Sequence, residues 1–133
     1  MQKIPKLIEK LLEETNNADI RWSTISNKLD PDLDSFIEYS QEYMEILKPL
    51  SYNAIYKGGE IFILSFADFH PGRDPRLFDV EYLILLLKSP TGRRLVPLNT
   101  KKEHQSELFR LMNSIDMKIN DIDGFIDSIL DDI

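Results

Sequence analysis

Apolar residues change their spacing twice along this chain, and the changes divide it into a helical start, an extended middle and a helical end. In the first part Ile4, Leu7, Ile8, Leu11 and Leu12 recur three or four positions apart. That spacing stacks them on one helical face. Pro5 suits the first turn, where its missing N–H costs nothing, and Asn16-Asn17 ends the helix. Ile20 and Trp22 then alternate with Asp19, Arg21 and Ser23, which predicts a short extended piece. Trp22 reads as an anchor of the first helix to the core, with ligand stacking as the alternative. A second helix is expected from Asp30 to Lys48. Asp30 caps it, Pro31 fits its first position, and Asp32 and Asp34 set negative charge at its N-terminus. Its inner stripe is Leu33, Phe36, Ile37, Tyr43, Met44 and Leu47, and Pro49 disfavours helical geometry at Lys48.

The period then shortens to two. Tyr52 to Tyr56, a Lys57-Gly58-Gly59 turn and Ile61 to Phe66 read as a β-hairpin. A Pro/Gly-rich loop, His70 to Arg76, separates it from a third strand, Val80 to Leu87. Ser89-Pro90-Thr91-Gly92 turns the chain into a fourth strand, Leu95 to Leu98, where Pro97 points to a sheet edge. Leu83-Ile84-Leu85-Leu86-Leu87 is apolar on both pleat faces, so both faces of that strand must be covered. A buried helix is the competing assignment; the short length and flanking turns favour a strand.

Helical spacing returns at the end. Thr100 reads as an N-cap, with Glu103 completing a capping box. Leu108, Leu111, Met112, Ile115 and Ile119 supply the stripe. A break at Asn120-Asp121 leads to a short helix carrying Ile122, Phe125, Ile126, Ile129 and Leu130 amid Asp116, Asp121, Asp123, Asp127, Asp131 and Asp132. The pattern predicts a single α+β domain over 1–133, a mainly antiparallel four-stranded sheet with two N-terminal and two C-terminal helices.

Composition narrows the function more than the fold. The 133 residues carry 42% hydrophobic side chains, enough for a core, and a formal net charge of -7. That balance argues against generic duplex binding, which needs a basic footprint. The absence of cysteine rules out disulfides, thiolate zinc sites and a cysteine nucleophile. Glu9, Glu13 and Glu14 break up the opening apolar residues, unlike a secretory signal. The longest apolar run falls far short of the roughly 20 residues a membrane span needs. A soluble, cytoplasmic protein is expected, with no membrane role.

Candidate chemistry is sparse. Asn120-Asp121-Ile122-Asp123-Gly124 suggests a calcium loop. Aligned on Gly124, however, Ile119 and Leu130 occupy positions that need acidic ligands. Asp68 and His70, with Asp74 or His104, form a candidate metal site and the basis of a metal-dependent hydrolase reading. Phosphate-loop, dinucleotide and nucleophile-elbow signatures are absent. In a meander, Lys57 and Arg93-Arg94 fall at one end of the sheet, while Arg73 and Arg76 fall at the other. These loops underlie a nucleic-acid alternative.

Leu11-Leu12 with Thr15, Ile20-Arg21-Trp22, the central meander, Glu107-Leu108-Phe109-Arg110-Leu111 and Ile122-Asp123-Gly124-Phe125-Ile126-Asp127 occur in an order that resembles small bacterial and prophage α+β proteins without a common assigned activity. The resemblance implies a bacterial accessory or mobile-element protein and carries no site residues.

The leading expectation is a non-enzymatic interaction module, of accessory, regulatory or inhibitor type. Its partner is another protein, it needs no cofactor or metal, and a homo-oligomer is possible. The candidate surfaces are the acidic tail, Asp127, Asp131 and Asp132, and the basic loop residues Arg73, Arg76, Arg93 and Arg94.

Overall fold

The stretch that is apolar on both faces is a strand of an antiparallel sheet packed on helices in a computed structural model of the chain, which describes residues 3–25, 33, 44–68 and 80–131. Helix α1 (Lys3–Asn16) precedes the strands β1 (Ser23–Thr24), β2 (Met44–Ile46), β3 (Tyr52–Tyr56), β4 (Gly59–Asp68), β5 (Tyr82–Lys88) and β6 (Val96–Pro97). Helices α2 (Gln105–Ile119) and α3 (Ile122–Asp131) follow. The strands β3 to β6 are the expected meander, with β1 added outside β3.

Strand β4 is the spine. Along one edge it pairs with β5, from Glu60↔Lys88 to Phe66↔Tyr82. Along the other it pairs first with β3 and then with β2, which therefore lie end to end. A 3₁₀ turn at Lys48–Leu50 separates them, and two serines join it to the spine. Leu47 N–H donates to the Ser65 carbonyl at 2.8 Å, and Ser65 N–H donates to Ser51 Oγ at 2.9 Å. The Ser51 hydroxyl donates to the Leu47 carbonyl at 2.9 Å, and that of Ser65 to the Leu50 carbonyl at 2.5 Å. The inserted turn thus leaves these backbone groups satisfied.

This arrangement corrects the C-terminal end of the helix expected from Asp30 to Lys48. Met44–Ile46 is a strand paired with Phe66–Asp68, and the turn follows it. Over so few residues three-residue spacing fits a strand as well as a helix, and pairing with β4 decides. Before Met44 only Leu33 of that expected helix is among the described residues, and it is helical and buried.

The two sheet faces have separate covers. Tyr52, Ala54, Ile61, Ile63, Leu83 and Leu85 pack with Ile8 and Leu11 of α1 and with the buried stripe of α2. Phe62, Leu64, Phe66, Ile84 and Leu86 pack with Ile25, Leu33 and Ile46. Trp22 is an anchor, as expected. Its Nε1–H donates to Thr15 Oγ1 at 2.9 Å, and the Thr15 hydroxyl donates to the Leu11 carbonyl at 2.6 Å.

Two turns fix one end of the sheet. Lys57 (φ 51) and Gly58 (φ 80) form the two-residue hairpin turn whose twist matches its strands. A Cβ on Gly58 would lie 3.6 Å from Pro90 Cγ, so this turn meets the one before β6. Lys57 and Arg93-Arg94 therefore belong to the same end, as the meander requires.

At the far edge β6 is short, and side chains continue its hydrogen bonding. Asn99 Oδ1 accepts from Leu85 N–H at 2.8 Å, and Asn99 Nδ2 donates to the carbonyls of Leu83, Thr100 and Glu103. Gln105 brackets Leu83, accepting from its N–H at 2.7 Å and donating to its carbonyl at 2.9 Å. Glu103 does reach back to Thr100 N–H at 3.0 Å, but α2 starts only at Gln105, with His104 (φ 59) at its N-cap. The capping box is thus part of a turn before the helix. The amides of Asn99 and Gln105, by binding the Thr100 and Glu103 carbonyls, hold that turn against β5.

Replacing Asn99 with Ala strands buried backbone groups on β5, so it should cost about 2–3 kcal/mol in urea unfolding. Ala18 (φ 61) occupies the left-handed position of a Schellman ending, with Asp19 N–H donating to the Glu14 carbonyl and Ala18 N–H to that of Thr15. Ala18→Gly should accordingly stabilise the protein by about 0.5–1 kcal/mol, read from the same unfolding curves.

Candidate interaction surface

The position of α3 is set at the end of α2. Tyr52, buried in the sheet, donates its hydroxyl to Asp116 Oδ1 at 2.9 Å. Asn120 Nδ2 donates to the Asp116 carbonyl at 2.8 Å and to its Oδ1 at 3.1 Å. Asp116 therefore has internal partners, whereas the other tail aspartates face solvent wherever they are described. Asp121 (φ 50) bends the chain, and its carbonyl accepts from Phe125 N–H at 3.0 Å to open α3.

On α3, Ile122, Phe125, Ile126, Ile129 and Leu130 recur at helical spacing and fill an arc of roughly 140°. Asp123, Asp127 and Asp131 run along one side of that arc, Gly124 and Ser128 along the other, and the helix carries no basic residue. A stripe of this kind normally buries at least part of itself against the core. Here none of it is buried: Phe125 is 63% exposed, Leu130 57%, Ile129 53% and even Ile122 36%. Met117 and Ile119, at the end of α2, continue the exposed apolar area. A helix of ten residues is marginal alone, and this one draws no support from buried side chains of its own. Contiguous exposed apolar surface of this kind marks interaction sites.

Beside it lies a recess of about 350 Å³ that the sequence did not disclose. The loop after α1 contributes Ala18, Ile20, Arg21 and Trp22, and the end of α2 contributes Lys118 and Ile119. Its wall bears two cations and no carboxylate, whereas two other concavities, each including Arg110, also carry Glu9 with Glu13 or Glu107. Residues nearly a hundred positions apart build it, so no local pattern could reveal it.

The remaining candidates divide as follows. Asp127 and Asp131 share the acidic side of α3, and Asp132 lies outside the described residues. Arg93 and Arg94 are exposed at the end marked by Lys57, whose Nζ sits 5.5 Å above the Tyr56 ring; Arg73 and Arg76 lie outside the described residues. Asp68 ends β4, but its side chain and His70 and Asp74 are likewise outside them, while His104 occupies the N-cap position of α2 without a side-chain capping bond. Among the described residues no three His, Asp or Glu side chains group to hold a metal ion, and no helix is long and apolar enough to cross a membrane. The chain matches no known protein family, no curated protein and no solved structure.

The Tyr52–Asp116 contact has a pH signature. Burial first, then the hydrogen bond to Asp116 and its charge, push the Tyr52 phenol far above its ordinary value; burial and Glu81 raise that of Tyr82. Above pH about 10 an unfolded chain loses tyrosine protons that the folded chain still holds, so stability falls as pH rises. Chemical denaturation across pH 9–11 should show that decline. It should be shallower in Tyr52→Phe, which removes the larger shift.

Proposed function

We propose that this protein is a non-enzymatic interaction module, acting by contact with another macromolecule, and that the outward face of α3 is its contact surface. The observation that carries the reading is the exposure of an entire amphipathic stripe, from Ile122 to Leu130, on a helix with no buried residue. Such a helix gains what it lacks by laying its apolar side into a partner's groove. The aspartates along one edge favour a partner that presents lysine or arginine beside that groove, and they accelerate encounter with it. An accessory, regulatory or inhibitor role fits a protein that works in this way. The exposed arginines at the Lys57 end offer a second, smaller surface for anionic groups.

The test is kinetic. The full chain is immobilised and its partner captured from the native host and identified. Replacing Asp127, Asp131 and Asp132 with Asn should slow association about tenfold at low salt and little at high salt. Phe125→Ser with Ile129→Ser should speed dissociation at every salt concentration, by tenfold or more, because each removes apolar area from the contact. If neither set changes binding, α3 is not the surface, and Arg93 and Arg94 become the next residues to test.

A further inference from the structure

Two features lack partners among the described residues, and their chemistries match. The recess has an apolar wall, from Ile20, Trp22 and Ile119, and two exposed cations, Arg21 and Lys118. Neither cation has an ion-pair partner among the described residues. Glu14 pairs with Lys10 at 3.0 Å, and Asp116 is held by Tyr52 and Asn120, so neither is given over to the two cations. What suits the recess is an apolar ligand with carboxylates along one side. The acidic helix α3 has that chemistry: an apolar stripe edged by Asp123, Asp127 and Asp131.

We propose that α3 of one copy docks in the Arg21–Lys118 recess of a second copy, forming a two-fold dimer with two identical helix-in-recess contacts. The inference rests on the reading of α3 as the contact surface and names an occupant for it. Within one chain the match is not made, because the stripe of α3 faces solvent. Across a two-fold axis it is made twice. Ile119 lines the recess and Ile122 opens the stripe only three residues later, so socket and helix are neighbours in one continuous patch. A patch holding both halves of a complementary pair is what an isologous interface requires. The opposed charges offset locally the repulsion between two chains of net charge -7 each. They also fix the direction in which α3 lies, since the aspartates occupy only one side of its stripe.

Sedimentation equilibrium at low salt, carried to the solubility limit of the full chain, tests this with charge reversals at exposed positions. One variant carries Arg21→Glu and Lys118→Glu, the other Asp127→Lys and Asp131→Lys; circular dichroism checks that each folds. The wild-type chain should be dimeric and each variant alone monomeric. An equimolar mixture of the two should be dimeric again, because every helix then meets a recess of opposite charge. A wild-type chain that stays monomeric overturns the proposal. So do variants that both remain dimeric, and so does a mixture that stays monomeric. If the wild-type chain is monomeric while Phe125→Ser with Ile129→Ser still weakens a captured partner, self-docking fails and α3 stands as a surface for a foreign protein.

Discussion

A strand with leucine on both of its pleat faces cannot leave either face in water, and much of this fold follows from β5. Leu83 and Leu85 point to one side, Ile84 and Leu86 to the other, and all four are buried. Fully burying one such side chain is worth about 1.5–3 kcal/mol, so covering both sides outweighs the preference of any local segment. The helices α1 and α2 cover one side; Ile25, Leu33 and Ile46 join the cover on the other. The hydroxyls of Ser51 and Ser65 are subordinate to this demand, since they let the chain turn between β2 and β3 without breaking the edge of β4.

That constraint was legible in the sequence, because a two-sided apolar run needs no distant information to interpret. So were the end of α1, a hairpin turn within Lys57-Gly58-Gly59 and the break at Asn120-Asp121, each written in local spacing or backbone chemistry. What could not be read depended on pairing. Met44 and Leu47 have the spacing of a helix, yet a strand already waiting at Phe66–Asp68 claims Met44–Ile46. The start of α2 was misplaced for a similar reason. Thr100 and Glu103 form the reciprocal contact their spacing suggests, but Asn99 and Gln105 hold the carbonyls of that turn.

The site was half legible. The aspartates of α3 and the apolar residues between them stood out as a pattern, but a pattern gives the face of a helix and not what it faces. An amphipathic stripe ordinarily turns inward, and only the structure shows this one turned out. The recess was invisible because Arg21 and Lys118 come together only when the end of α2 lies against the chain after α1.

The amides at the edge of β5 bear on how the molecule can assemble at all. An exposed strand edge is a row of unpaired donors and acceptors that will accept a strand from any neighbouring chain. Here the N–H and carbonyl of Leu83 and the N–H of Leu85 are already occupied by Asn99 and Gln105, and the Leu85 carbonyl by Leu98 N–H. No further strand can be added there without first expelling two side chains. Along this part of β5 the sheet thereby offers no free backbone for a strand of another chain to join.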